Sequence, residues 1–199
     1  AGPALAAILM GDANPSGKLP FTFPVKLEDN SAHALGEFVY ERKNEIVDVK
    51  YNEGIFVGYR WADKQKKVKP LFAFGHGLSY TTFEYGKAMA DKKEMSSEDV
   101  LTITVPVTNV GNREGAEVVQ LYISDLKSSL PRPIKELKGF QKVRLAPGET
   151  KEVTFTIAKD ALSFYDDAQQ TWIAEPGKFE AIVAASASDI KSKVIFNLK

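Results

Sequence analysis

The amino-acid sequence predicts a mainly β protein, with an antiparallel β-sandwich over residues 77–199 behind a shorter α/β segment over residues 1–76. Three observations carry this expectation. From Leu101 onward, apolar residues alternate with polar ones over short runs, the period of a half-buried strand. Asparagine, glycine and proline clusters separate those runs. The first 76 residues, by contrast, offer one short helical stretch and two extended ones, too little to bury a core without a sheet to lie on.

The elements follow in order. Pro3 to Met10 are good helix formers, with Pro3 suited to a first turn and Gly11 to a C-terminal cap, so one short helix is expected. Asp12 to Gly17 is rich in turn formers. Lys18 to Pro24 is extended, and its two prolines place it at the edge of a layer. Val25 to Lys50 is polar with little periodicity and reads as a long surface excursion. In the second part, Leu101, Ile103, Val105 and Val107 share one face, with Thr102, Thr104 and Thr108 on the other. The same alternation recurs at Val119, Leu121 and Ile123, at Val153, Phe155 and Ile157, at Phe179, Ala181 and Val183, and at Val194, Phe196 and Leu198.

Between these strands lie Asn109 to Asn112, Ala146-Pro-Gly-Glu149 and Glu175-Pro-Gly-Lys178; in the last two, proline followed by glycine predicts type II turns. Short strands with turns between them and no helical period fit an immunoglobulin or fibronectin type III sandwich. The cysteine pair of antibody domains is absent, which favours the fibronectin-like form.

Composition excludes several classes. With 44% hydrophobic and 26% charged residues the chain is ordinary for a folded protein, and 26 basic residues balance 26 acidic ones, so no electrostatic footprint points to nucleic acid or an anionic membrane. The apolar run Leu5 to Met10 is far short of the roughly 20 residues that span a bilayer. Absence of cysteine removes disulfides and thiolate sites, and two histidines, His33 and His76, cannot make a histidine-rich zinc site. No metal or cofactor is expected. The first ten residues lack the basic start of a signal peptide and begin without methionine, so any export signal is expected upstream.

Three segments then converge. Gly11-Asp-Ala-Asn-Pro-Ser-Gly-Lys-Leu-Pro-Phe-Thr-Phe-Pro24, Tyr51-Asn-Glu-Gly-Ile-Phe-Val-Gly-Tyr-Arg-Trp61 and Pro70-Leu-Phe-Ala-Phe-Gly-His-Gly-Leu-Ser-Tyr-Thr81 resemble, in order and spacing, the C-terminal part of family three glycoside hydrolases of the β-glucosidase and β-xylosidase type. Val118 to Asp125 and Arg132 to Phe140 look like the fibronectin-like domain that closes many of these enzymes.

The resemblance implies a retaining exo-glycosidase, in which one carboxylate attacks the anomeric carbon and a second, about 5–5.5 Å away, protonates the leaving oxygen. It also implies that the nucleophilic aspartate belongs to an upstream (β/α)8 barrel and the acid/base glutamate to a part of the α/β domain before residue 1. No catalytic residue is therefore assigned in this chain. Its expected partners are the upstream barrel and α/β domains, with a β-glucoside or β-xyloside reaching the parent enzyme, and its expected location is periplasmic or secreted. The alternative is a carbohydrate- or partner-binding module without a catalytic role.

Particular residues carry open alternatives. Glu53 is the best-placed carboxylate, and reads either as a glutamate that fixes its loop against Arg60 or as an acid/base or substrate contact. His76, between Gly75 and Gly77, is structural or an acid/base. Tyr59, Trp61, Phe72 and Phe74 form either core at the join of the two parts or a sugar-stacking platform. Trp172 stands in a polar stretch, exposed by context, and can bind sugar on the sandwich. Ser128 to Pro133 reads as a rigid interstrand loop or a polyproline peptide ligand, and Lys64 to Lys69 as a solvated basic loop.

Overall fold

The structure is a computed structural model that describes residues 1–35, 50–65 and 69–199. The first helix, α1 (Gly2–Met10), ends as its sequence predicts: Gly11 adopts the left-handed region at φ 84° and its N–H reaches the Ile8 carbonyl. The excursion that follows begins with a 3-10 turn at Leu27–Asp29 and the short helix α2 (Ser31–Leu35); its remainder, residues 36–49, lies outside the described residues. Helix α3 (Tyr59–Lys64) buries Trp61, whose indole N–H donates to the Asp29 carbonyl at 2.9 Å. Half of the basic run Lys64 to Lys69 falls outside the described residues, at 66–68.

Extended backbone joins these pieces. Leu19 and Phe23 run antiparallel to residues 71–76: the Leu19 amide donates to the His76 carbonyl, the Gly75 amide to Leu19, and the Phe23 amide to Phe72, each at 2.8 Å. Pro20 and Pro24 lack the donor a ladder needs, so the pairing stops at the single bridge between Phe23 and Phe72.

Past residue 82 the chain forms short strands β1 (Phe83–Tyr85), β2 (Met89–Ala90) and β3 (Glu94–Met95), then the long β4 (Leu101–Asn109) and β5 (Gly115–Asp125). Strands β6 (Glu136–Leu145) and β7 (Thr150–Ile157), helix α4 (Lys159–Leu162), the hairpin β8 (Phe164–Asp166) and β9 (Thr171–Ile173), then β10 (Gly177–Ser186) and β11 (Asp189–Leu198) complete the order. Among the described residues one sheet sets β7 along one side of β4 and β1 and β2 along the other; a second runs β3-β11-β10-β5-β6. All pairings are antiparallel except β3 with β11. The core lies between the sheets, and every residue assigned inward on β4 is buried.

The Ala146-Pro-Gly-Glu149 turn is type II in form: Gly148 has φ 75° and the Glu149 amide donates to Ala146 at 3.0 Å. The second proline-glycine pair departs from expectation. Gly177 is not among the residues of positive φ; it opens β10, paired with Leu198, so Pro176 leads from one strand into the next. The sheet claims the glycine because pairing with β11 outweighs a local turn preference.

Asn109 organises the first connection. Its side-chain amide donates to the Arg113 and Leu145 carbonyls at 2.7 and 3.0 Å, and its carbonyl oxygen accepts from the Gly111 amide and the Thr81 hydroxyl. Beyond the five alternating strands lie β1, β2 and β3, the edge strand β6 with mixed exposure, the β8–β9 hairpin, and α4.

Candidate functional site

The site that the fold builds most fully is the join between residues 1–80 and the sandwich. Strand β5 creates it. Its inward residues Val119, Leu121 and Ile123 enter the main core, but Gln120, Tyr122 and Ser124 on the opposite face are buried as well. A second apolar cluster covers that face: Ala73, Tyr122, Ile182, Ala184 and Ala187, with Tyr59, Phe74 and Leu137 packed against it. The ring of Tyr59 lies 5.1 Å from Phe74 and 5.7 Å, edge-on, from Tyr122.

Polar groups lock this packing. The Gln120 amide nitrogen donates to the Gly75 and Ala185 carbonyls at 3.3 and 2.9 Å, while its oxygen accepts the Tyr122 hydroxyl at 2.6 Å. The bond to Gly75 crosses the join, and the other two hold the Gln120 side chain in place from within the sandwich. Gly75, at φ 78°, must be glycine here twice over, since a Cβ would also overlap the Gln120 amide. The Ala187 amide donates to Phe74, and the Leu137 amide to the Tyr59 hydroxyl, both at 2.9 Å.

Ion pairs hold the two ends. Lys135 meets Asp63 at 2.5 Å with both side chains largely buried, and burial pushes the Asp63 carboxyl upward against the opposing pull of Lys135. Lys18 meets Glu117 at 2.8 Å, and Glu117 also accepts the Tyr85 hydroxyl at 3.2 Å. Burial first, and then the Glu117 charge, push the Tyr85 phenol upward. Asn14 spans the chain, donating to the Glu114 carbonyl and accepting from Ser79 and the Tyr80 amide. Arg113 reaches the Gly11 carbonyl at the end of α1.

The far side of residues 1–80 is open and apolar. No residue of α1 is buried; Leu9 and Met10 are 71% and 79% exposed. Beside the helix runs a groove of about 750 Å³ with Ile8, Leu19, Phe23, Leu71, Phe72 and Leu78 in its walls. A ladder of rings stiffens it: Phe21 on Phe23 at 4.4 Å, Phe23 edge-on to Phe72 at 6.2 Å, and Phe72 stacked on His76 at 5.2 Å. Among the described residues its one charged lining residue is Lys18, and no carboxylate lines it.

The candidate residues fall into place individually. Glu53 does not pair with Arg60, whose guanidinium lies 3.7 Å from Glu136 on β6. A local spacing argument failed because the better partner arrives from a distant strand. His76 contributes its backbone to the ladder and its ring to the Phe72 stack. Trp61, 7% exposed, is core, and Tyr59 and Phe74 pack at the join, whereas Phe72 faces the groove.

Ser128 to Pro133 is an anchored interstrand loop. Arg132 is buried between Asp125 at 3.2 Å and Glu136 at 2.6 Å, its guanidinium over the Phe164 ring, and Ser129 is tied to Glu175. Trp172 stands exposed on the β8–β9 hairpin. Residues that sequence reasoning missed are Asn14, Lys18, Asp63, Gln120 and Lys135; each looks like an ordinary surface residue until the partner segment is in place. Among the described residues no three His, Cys, Asp or Glu side chains cluster as a metal site requires, and no helix is long and apolar enough to cross a membrane.

Comparison with known proteins accounts for this architecture. The model of the glycosyl hydrolase family 3 C-terminal domain matches residues 1–59, and that of the fibronectin type III-like domain matches residues 117–187. Beta-glucosidase BoGH3A of Bacteroides ovatus is 53% identical over 195 residues, which is 98% of this chain and 26% of that protein. Thermostable beta-glucosidase B of Acetivibrio thermocellus is 49% identical over 192 residues, 96% of this chain and 24% of its own length.

Among solved structures, the beta-glucosidase of Kluyveromyces marxianus in complex with glucose superposes with a TM-score of 0.86 at 43% identity, over 100% of this chain and 23% of that one. Beta-glucosidase 3B of Thermotoga neapolitana in complex with alpha-D-glucose gives 0.86 at 39%, over 98% and 26%. The chain thus spans about a quarter of the length of the relatives it matches. It belongs to glycoside hydrolase family 3, as a C-terminal part of such an enzyme that carries the fibronectin type III-like domain.

Proposed function

We propose that this chain serves a retaining β-glucosidase-type exo-glycosidase that removes terminal β-linked sugars, and that its own role is support and docking. Residues 1–76 complete the α/β domain of the parent; residues 77–199 brace it as a fibronectin-like domain. One observation carries the reading: the open groove of residues 1–80 is apolar, stiffened by a ladder of rings, and lined by no carboxylate among the described residues. Contiguous exposed apolar surface of this kind marks an interface rather than a hydrolytic centre.

The occupant is the upstream part of the same α/β domain, since the matched family model ends within this segment and the relatives are about four times longer. The join then acts as a rigid strut, fixing that domain against the sandwich through Gln120, Lys135–Asp63 and Lys18–Glu117. That the relatives are beta-glucosidases favours glucose over xylose as the terminal sugar. A periplasmic or secreted location belongs to the same proposal, because polymer-derived glycosides are met outside the cytoplasm; cell fractionation checks it.

The decisive assay uses the chain alone on an aryl β-glucoside. No turnover is expected, and activity above background would overturn the support reading. Supplied in trans to a parent enzyme lacking this portion, the chain should restore turnover.

A further inference from the structure

We propose that the exposed Tyr165–Trp172 pair on the β8–β9 hairpin is an auxiliary binding platform for soluble neutral oligosaccharides, separate from the docking groove. It rests on the hairpin alone and not on the parent's activity. The two residues are cross-strand partners on the outward side, with Trp172 66% and Tyr165 46% exposed. The inward residues of β8, Phe164 and Asp166, are both buried, and Phe164 lies under the Arg132 guanidinium.

The hairpin is fixed before any ligand arrives. The Asp166 carboxylate accepts the Ala168 and Gln169 amides at 2.8 and 3.1 Å and the Gln169 side chain at 2.8 Å, and Gln170 holds a φ of 54°, rare outside glycine. Phe164 is clasped from below by Arg132. Two rings thus sit at a set angle, centroids 5.7 Å apart and planes 66° apart. Binding need not pay to order them.

The surroundings select the ligand. Asp167, Gln169, Gln170 and Thr171 on the turn are all exposed and can hydrogen-bond, and a depression of about 390 Å³ beside Trp172 is bounded by Asp160 and Ser163. An aromatic island ringed by acceptors and donors suits a pyranose, which presents an apolar C–H face and hydroxyls at its rim. The depression beside Trp172 is lined by Asp160 and Ser163, whereas the groove of residues 1–80 is lined mostly by apolar side chains, as a protein interface requires. Rings at 66° make a corner, which admits a single twisted chain and not the flat face of a crystalline polymer.

Titration of the 199-residue chain with cellohexaose and with laminarihexaose, followed by calorimetry and by the Trp172 indole resonance, tests this. Saturable binding of at least one sugar is expected, moving the Trp172 indole and leaving that of buried Trp61 in place. Trp172→Ala should weaken it by about tenfold or more, with Trp172→Phe retaining part. Absence of saturable binding, or affinity unchanged by Trp172→Ala, would overturn the proposal, as would dimerisation lost in Trp172→Ala without sugar binding. Binding to crystalline cellulose in place of the soluble chains would overturn the corner geometry. If Trp172→Ala fails to fold, Tyr165→Ala and the wild-type indole shifts decide.

Discussion

Helix α1 and strand β4 are built from similarly apolar sequence, and the structure treats them oppositely. Alternate residues of β4, from Leu101 to Val107, are sealed from water, while no residue of α1 is buried. Strand β4 finds its partners within the chain, in β7 and in the facing sheet; α1 has none on its outer side among the described residues. The difference teaches that residues 88–198 carry a core of their own, whereas among the described residues the apolar side chains of α1 stay at the surface.

The widest separation is expected between a core and a groove substitution. Leu121→Ala should cost about 4 kcal/mol in urea unfolding, since it empties space in a closed core. Leu9→Ser should change stability by less than about 0.5 kcal/mol while reducing self-association in sedimentation. Comparable destabilisation by both would break the distinction.

A substitution at the join comes next. Asp63→Ala strands the Lys135 ammonium, 5% exposed, and should weaken attachment of residues 50–65 by about 3 kcal/mol. Hydrogen exchange at Tyr59–Lys64 reads this, with β4 protection unchanged. Uniform loosening of both would show that segment and sandwich unfold as one unit.

The smallest effect concerns acid. Asp166 lies below the usual carboxylate range because the Gln169 amide, then the Gln169 side chain and the Ala168 amide, donate to it, against a desolvation that opposes them. A carboxyl lowered on folding stabilises the fold above its unfolded value and loses that contribution as pH falls through the folded one. Acid should therefore loosen the hairpin turn before the sandwich, moving the Trp172 indole resonance first. Asp166→Asn should abolish that early step.

Legibility in the sequence followed chemistry of different range. The strands around Leu101, Val153 and Phe179 were readable because one side of each faces a core and the alternation reports it. Strand β6 was not, since an edge strand with Gly139 beneath Phe155 lacks a buried stripe to repeat. The Pro176-Gly177 pair carried a true turn signal that strand pairing overrode. At the join, Trp61 was foreseen as either core or platform, but Arg60 was matched to Glu53 because that partner is near in sequence.

The sequence by itself determined the family, the sandwich and its five alternating strands, because periodicity and motif order are local and survive without coordinates. Tertiary structure decided which second faces are dry. Gln120 and Tyr122 occupy the polar side of an alternating strand and read as solvent-facing, yet Gly75, Tyr59 and Phe74 close over them from more than forty residues away. Periodicity records that a strand has two faces; only the packed chain determines whether water reaches both.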